Sequence, residues 1–238
     1  PIIPPPVGGG SSSGGGGGGG GTPSNGNNHG NGGGSGTVTP PVVSPGKPSD
    51  SFKAELNGHW AEKEISALVD DGIIAGSDNS LHLQDKTTRA EFTKMILGAL
   101  DIKPVAYEGC FGDVNANDWY ADYMQAAYNA GIVGGYNGNA NPNDTMTREE
   151  AVKIMLKALE TKITVNYSEN GLNFADAGAV SDWAKTYMET AVSMGLISGM
   201  EDNTLRPQDN ALREQAMVIV YRVMQTVKDS TQPPAETE

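Results

Sequence analysis

The sequence is poor in cysteine, in basic residues and in long apolar runs. Its one cysteine, Cys110, cannot form a disulfide within the chain, so packing alone must hold the fold. Lys and Arg number 16 against 29 Asp and Glu, a net charge of -13. Nucleic acid binding requires a basic surface, and membrane insertion requires an apolar span that this chain lacks. We therefore expect neither nucleic acid nor a membrane among its partners.

The sequence also lacks the residue patterns of catalytic and metal centres. His29, His59 and His82 have no histidine or cysteine partner at metal-ligand spacing. Loops such as residues 78–80 carry Asp and Asn, but they have neither the ligand number nor the closing glutamate of a calcium site. No pair of carboxylates lies in the apolar setting that a glycosidase acid and base need. We expect no metal, no cofactor and no catalytic activity.

Residues 1–50 are almost free of charge and of large apolar side chains. Glycine, proline, serine and asparagine dominate them, and Lys47 and Asp50 are their charged residues. Such a segment cannot offset the entropy of ordering, so it is predicted to be a disordered linker, and residues 229–238 a polar tail. Because the chain opens on Pro1 inside this linker, we expect it to be a fragment joined to an upstream domain.

What the rest of the sequence does contain is a unit of about sixty residues written three times. Each copy has a tryptophan that is followed by a glycine twelve residues on and by an arginine 29 or 30 residues on. The tryptophans are Trp60, Trp119 and Trp183, the glycines Gly72, Gly131 and Gly195, and the arginines Arg89, Arg148 and Arg213. Since repeated units bury their apolar faces against one another, residues 51–103, 104–166 and 167–228 are predicted to form one assembly.

Each copy has the periodicity of two helices. The first helix follows the tryptophan and ends at the glycine. The second begins at a threonine with a glutamate three residues later, the signature of a capping box. These pairs are Thr88 with Glu91 and Thr147 with Glu150, whereas the third copy has Leu212 and Gln215. Apolar stripes on the second helices predict an all-α fold of helix-loop-helix repeats around a central three-helix bundle, with the first helices outside.

Taken together, these motifs resemble the S-layer homology domain. The second copy keeps Phe111, Asp113 and Val114 before its tryptophan, and the third keeps Phe174 and Asp176. The first copy has Ala54 where the aspartate is expected, but it keeps an intact Thr-Arg-Ala-Glu at residues 88–91. The resemblance covers nearly everything after residue 50. It implies a pseudo-threefold arrangement of the three repeats within a monomer.

The resemblance also implies a function. Such modules attach bacterial surface proteins to secondary cell wall polysaccharide, typically a glycan that bears pyruvate ketals, so an extracellular location at the cell wall and an upstream surface domain are expected. A groove between adjacent repeats is implied, lined by the motif arginine, a tryptophan and the glycine of the turn after the first helix. The resulting candidates are Arg89, Arg148, Arg213, Trp60, Trp119, Trp183, Gly76, Gly135 and Gly199, with Asp113 and Asp176 added. The second repeat keeps every signature element and is expected to give the best-formed groove.

The residue types suit an anionic sugar. An arginine at the first position of a helix lies where a negative charge is normally preferred, so an anionic ligand is expected beside it. Free backbone NH groups at the helix start and the guanidinium could bind a carboxylate together. Tryptophan offers a flat apolar face for a sugar ring.

Structural roles are open for the same residues. The arginines could form ion pairs with Asp85, Asp144 or Asp209, and the tryptophans could belong to the core. The glycines could serve only their turns, and Asp113 and Asp176 could cap helices. At the level of the whole module, the alternative to glycan binding is self-assembly of the repeats into a surface lattice.

Overall fold

The computed structural model describes residues 47–231, and all regular secondary structure in this part of the chain is helical. The α-helices are α1 (Lys53–Leu56), α2 (Glu62–Asp70), α3 (Arg89–Ala99), α4 (Ala121–Asn129), α5 (Arg148–Leu159), α6 (Lys185–Ser193) and α7 (Arg213–Thr231). Short 3-10 helices span Pro48–Phe52, Ala177–Ala179 and Asp182–Ala184. The prediction of an all-α fold is confirmed.

The predicted linker and tail fall mostly outside the described residues. Of the linker, residues 47–50 are described, and the first 3-10 helix already begins there, at Pro48. At the other end, α7 continues to Thr231, beyond the predicted end of the third repeat at residue 228.

The predicted starts of the second helices are confirmed. In α3 the hydroxyl oxygen of Thr88 accepts a hydrogen bond from the Glu91 NH at 3.3 Å, and the Glu91 carboxylate accepts one from the Thr88 NH at 2.9 Å. Helix α5 has the same pair of bonds between Thr147 and Glu150. Before α7 the Gln215 side chain accepts from the backbone NH of residue 212 at 3.4 Å, but leucine offers no oxygen in return. The third box is therefore half complete.

Helices α3, α5 and α7 contact one another and form the central bundle. Their facing side chains are fully or almost fully buried, as the apolar stripes predict; examples are Phe92 and Ile96 on α3, Ile154 and Met155 on α5, and Ile219 and Val220 on α7. Each first helix packs outside, on the second helix of the preceding repeat: α4 on α3, α6 on α5, and α2 on α7. The contact of α2 with α7 joins the first repeat to the last.

Backbone hydrogen bonds link the three repeats in a closed cycle. The Thr87 NH donates to the carbonyl of Ala211 at 2.9 Å, the Ala211 NH donates to Met146 at 2.9 Å, and the Met146 NH donates to Thr87 at 3.1 Å. All three residues are buried and stand two positions before the start of their second helix. This cycle is what the predicted pseudo-threefold arrangement would produce.

A second set of bonds joins the start of each second helix to the following repeat. The first two NH groups of an α-helix have no partner inside it. In α3 the Arg89 NH donates to the Asp144 carbonyl at 3.0 Å, and the Ala90 NH donates to Pro142 at 2.9 Å. The equivalent bonds run from Arg148 to Asp209, from Glu149 to Pro207, from Arg213 to Asp85 and from Glu214 to Leu83. The helix starts are thus fixed by loops of the neighbouring repeat.

Candidate ligand-binding grooves

The three turn glycines lie beneath aromatic rings that open their own repeats. The pairs are Gly76 with Phe52, Gly135 with Phe111 and Gly199 with Phe174. A Cβ atom on Gly135 would lie 2.7 Å from the Phe111 ring, and on Gly199 2.3 Å from the Phe174 ring. Gly135 also has a φ of +67°, which disfavours any other residue. Packing against phenylalanine therefore requires glycine here, whatever the ligand.

The two signature aspartates hold the loop between the helices of their own repeat. The Asp113 carboxylate accepts the backbone NH groups of Ala140 and Asn141 at 2.8 and 2.7 Å. Asp176 accepts those of Leu205 and Arg206, both at 2.7 Å. The proposed capping role is wrong, because neither carboxylate bonds to the start of a helix.

The first repeat replaces its missing aspartate with a different acid. Glu55, next to Ala54, accepts a hydrogen bond from the Leu81 NH at 2.8 Å. Leu81 occupies in the first repeat the position that Ala140 has in the second and Leu205 in the third. The longer glutamate reaches the same loop from one residue further along the chain.

Two signature arginines are tethered through the guanidinium. The Nε of Arg213 donates to the carbonyl of Leu81 at 3.0 Å, and its Nη1 lies 3.2 Å from the Glu91 carboxylate. The Nε of Arg148 donates to the Leu205 carbonyl at 2.9 Å, and its Nη1 donates to the Gln215 side chain at 3.2 Å. Each arginine thus reaches across to the next repeat in the cycle.

Arg148 differs from the others in its burial. It is 3 % exposed, and desolvation lowers the pKa of its guanidinium to about 10. Its nearest hydrogen-bond partners are neutral, since Gln215 stands where Glu91 and Glu150 stand in the other repeats. Its surroundings favour a structural role.

Arg89 is the least tethered of the three. Its Nε is buried but has no hydrogen-bond partner among the described residues, although the equivalent atoms of Arg148 and Arg213 bond to carbonyl oxygens. Its Nη1 lies 3.9 Å from Glu150, and its side chain is 23 % exposed. Because the Nε is sealed from solvent, it is the partly exposed remainder of the Arg89 guanidinium that can donate to an acceptor from outside the protein.

The expectation of free NH groups at the helix starts is wrong. In α3 and α5 the first two NH groups donate to carbonyls of the next repeat, and the third donates to the capping threonine. The first two NH groups of α7 are also occupied. At these helix starts, carboxylate recognition would therefore have to come from side chains.

The tryptophans fall into two classes. Trp119 is 54 % exposed and Trp183 46 % exposed, so neither is a core residue. A lysine ammonium lies over each ring, Lys94 at 5.5 Å from the Trp119 centroid and Lys153 at 5.1 Å from that of Trp183. Trp60 is half-buried and packs against the hydrophobic core, as the structural alternative proposes.

A cavity of about 450 Å³ brings predicted residues from all three repeats together. We call it the Arg89 groove. Its lining includes Arg89 of the first repeat, Gly135, Tyr136, Glu150 and Lys153 of the second, and Trp183 of the third. The arginine and lysine outnumber the single acid, which makes the groove locally cationic in a strongly acidic chain.

A smaller cavity of about 210 Å³ has the same plan. This Arg213 groove is lined by Arg213 of the third repeat, by Ala75, Glu91 and Lys94 of the first, and by Trp119 of the second. Ala75 is the neighbour of Gly76 in the turn after the first helix. Both grooves thus combine an arginine, a turn, a lysine and a tryptophan from three different repeats, rather than from two adjacent ones.

The remaining arginine and tryptophan candidates, Arg148 and Trp60, line neither groove. Arg148 is buried, Trp60 is half-buried, and the position of the groove lysines is occupied by Val218 in the third repeat. Gln215 also replaces the acid that the two grooves contain at this position. The third combination of residues therefore lacks the exposed charges that the Arg89 and Arg213 grooves share. The second repeat, for which the sequence predicts the best-formed groove, contributes its turn and its lysine to the Arg89 groove, but its own arginine enters neither groove.

Sequence reasoning missed the groove lysines and Tyr136. Lys94 and Lys153 each stand five residues after the signature arginine, a recurrence that alignment of the repeats could have revealed. The value of this position becomes clear only once the tryptophan of another repeat is seen beneath the ammonium. Within residues 47–231, no cluster of three or more His, Cys, Asp or Glu could hold a metal, and no helix could cross a membrane.

Comparison with known proteins agrees with the repeat assignment. The family model for the S-layer homology domain matches residues 56–93, 111–152 and 173–217. Each match lies within one of the three predicted repeats, and together they cover more than half of the chain.

Similar stretches occur in much longer bacterial proteins. The chain is 38% identical over 175 residues to an amylopullulanase of Thermoanaerobacterium thermosulfurigenes, covering 72% of this chain and 9% of that protein. It is 39% identical over 189 residues to exoglucanase XynX of Acetivibrio thermocellus, covering 76% and 17%. For the surface-layer 125 kDa protein of Lysinibacillus sphaericus the identity is 35% over 192 residues, covering 79% and 16%. The chain thus spans less than a fifth of the length of these relatives, and it belongs to the S-layer homology domain family.

Proposed function

We propose that this chain is a noncatalytic anchoring module that holds a surface protein on the bacterial envelope by binding an anionic wall glycan. S-layer homology domains anchor surface proteins to the cell surface, and the matched relatives include both enzymes and a surface-layer protein. The part shared by such different proteins cannot be the source of their different activities. Attachment is the function that suits all of them.

The observation that carries the proposal is the composition of the two grooves. In the Arg89 groove a partly exposed arginine side chain, an ammonium and an exposed indole converge on one cavity. The cations suit a carboxylate, and the indole face suits the apolar face of a sugar ring. A pyruvate ketal places a carboxylate and a methyl group on an otherwise neutral sugar, so pyruvylated secondary cell wall polysaccharide is the ligand we propose.

The structure allows the candidate residues to be divided by role. We propose Arg89, Arg213, Trp119 and Trp183 as direct ligand contacts, to which Lys94 and Lys153 are added. Gly135 lines its groove but is required first by the Phe111 ring. The scaffold set, which holds loops, turns and repeat contacts, consists of Gly76, Gly199, Asp113, Asp176, Arg148 and Trp60. The module would act as a monomer outside the cell, fused to the protein that it anchors.

Cosedimentation with purified Gram-positive cell wall tests the proposal. Intact wall is compared with wall stripped of its secondary polymer and with wall made without pyruvylation. Binding to intact wall alone is expected, and Arg89→Ala combined with Arg213→Ala should abolish it. Equal binding to all three preparations would contradict glycan recognition, and oligomerisation that rises with protein concentration in the absence of wall would favour self-assembly instead.

A further inference from the structure

A row of alternating aromatic rings and lysines leads away from the Arg89 groove along α5 and α6. The Lys153 Nζ lies 5.1 Å from the Trp183 centroid and 5.9 Å from that of Tyr187. The Lys157 Nζ lies 5.9 Å from the Tyr187 centroid and 6.0 Å from that of Tyr167. We call these five residues the aromatic strip. Its two lysines are one helical turn apart on α5, so they share one face of that helix.

The strip is continuous with the groove and partly open to solvent. Trp183 and Lys153 line the groove itself. Beyond them, Tyr187 is half-buried and Tyr167 is 39 % exposed, and the two rings meet edge to face at 5.7 Å. The aromatic rings and the hydrocarbon chains of the two lysines are apolar, whereas the lysine ammonium groups are charged. The strip therefore offers a series of amphipathic surfaces, which suit sugars.

Charge distinguishes the two ends of the strip. Lys153 forms no ion pair within residues 47–231, so its charge is available to a ligand at the groove. Lys157 is paired with Glu160 at 3.0 Å, and the Tyr167 hydroxyl donates to the same carboxylate at 2.7 Å. The far end is therefore electrically compensated and suits an uncharged sugar better than a second carboxylate.

The Arg213 groove has no comparable continuation. Lys94 lies over Trp119 at 5.5 Å and over Tyr123 at 5.6 Å, which matches the first half of the strip. One turn later, the position of Lys157 is taken by Gly98, which has neither a charge nor a stem to continue the row. The two grooves therefore differ in length although they share their innermost residues.

We propose that the aromatic strip is an extension of the Arg89 groove that binds the neutral sugars next to the acidic one. The Arg89 groove then binds an oligosaccharide, whereas the Arg213 groove binds a shorter segment of the same polymer. This inference rests on the proposed glycan-binding function and adds a preference for ligand length. It assigns Tyr167 and Tyr187 as specificity residues outside the groove.

The test is calorimetric binding of pyruvylated wall oligosaccharides of one and of several repeat units. Trp119→Ala is introduced into every protein compared, so that the Arg213 groove is silenced. The strip should raise affinity for the longer ligand about two- to tenfold, the range expected for one aromatic contact. Tyr167→Ala should remove this gain without changing affinity for the single unit, and Tyr167→Phe, which keeps the ring, should retain it. Thermal unfolding confirms that each variant is folded.

The other outcomes separate the two proposals. If Tyr167→Ala preserves the gain with length, or weakens all ligands equally, the strip is not an extension of the groove, although glycan binding stands. If the parent protein binds no oligosaccharide of either length and also fails to bind intact wall, the proposed function fails and this inference fails with it. If the protein binds intact wall but shows no gain in affinity for the longer ligand, the proposal for the aromatic strip fails and the proposed function stands.

Discussion

Arg89, Arg148 and Arg213 occupy the same position in three repeats, yet their neighbours give them different roles. Arg148 is buried and donates to the neutral groups of Leu205 and Gln215, while the other two face acids and open cavities. A buried acceptor that loses its donor incurs the cost of desolvation. Arginine at this position is thus a structural residue in one repeat and a candidate ligand contact in two.

Arg148→Ala should therefore act on stability. We expect it to lower the free energy of unfolding by about 1–3 kcal/mol, because the Leu205 carbonyl loses its Arg148 donor and the Gln215 side chain keeps only the longer bond from the Leu212 NH. Arg89→Ala is the matched control and should change stability by less than about 1 kcal/mol while weakening glycan binding. Urea unfolding measures the first effect and calorimetry the second. Loss of binding with unchanged stability in the Arg148 variant would restore it as a ligand contact.

Gly135 and Gly134 are adjacent in the same turn and offer a second matched pair. A Cβ at position 135 would meet the Phe111 ring at 2.7 Å and a backbone oxygen at 2.8 Å, with φ at +67°. At position 134 nothing lies within 4 Å. Gly135→Ala should therefore cost about 2 kcal/mol or more, since strain and overpacking add, whereas Gly134→Ala should be nearly neutral. Midpoints of thermal unfolding compare them, and equal midpoints would refute the packing role.

At the scale of elements, sequence alone was sufficient to place the two main helices of each repeat and insufficient to identify the partners of their first NH groups. Capping boxes and apolar stripes are encoded within a dozen residues, so α3, α5 and the central bundle could be predicted. The partners of the first helical NH groups could not, because they are carbonyls in a loop of another repeat, as between Arg89 and Asp144. For the same reason, Glu55 could not be recognised as the substitute for a missing aspartate until Leu81 was seen beside it.

The incomplete capping box of α7 provides a prediction at this scale. Leu212→Thr should supply the missing side-chain acceptor for the Gln215 NH and raise the free energy of unfolding by about 0.5–1 kcal/mol. Thr147→Ala removes the equivalent acceptor in α5 and should lower it by about 1 kcal/mol. Chemical denaturation of both variants measures the two changes. A destabilised Leu212→Thr variant would show that the leucine contributes more through packing than a cap would.

At the scale of the whole molecule, neither groove belongs to one repeat. The Arg89 groove takes its arginine, its lysine and its tryptophan from the first, second and third repeats, and the Arg213 groove follows the same order around the cycle. This is why single-repeat motifs could suggest the residues but not their grouping. It also means that the Arg213 groove, which joins the last repeat to the first, requires closure of the ring through the contact of α2 with α7.

Two grooves on one folded module should make attachment to a repeating polymer stronger than either groove alone. Trp119→Ala and Trp183→Ala each remove an exposed ring from one groove. With short oligosaccharides, each variant should bind one ligand where the parent protein binds two, because the other groove is unchanged. With the polymer, each variant should lose the simultaneous binding of both grooves to one chain, which can raise the apparent affinity about 10²–10⁴-fold. Dissociation from immobilised polysaccharide should therefore be much faster for both single variants. If one of them dissociates as slowly as the parent protein, the groove that it disrupts takes no part in anchoring, and attachment depends on the other groove alone.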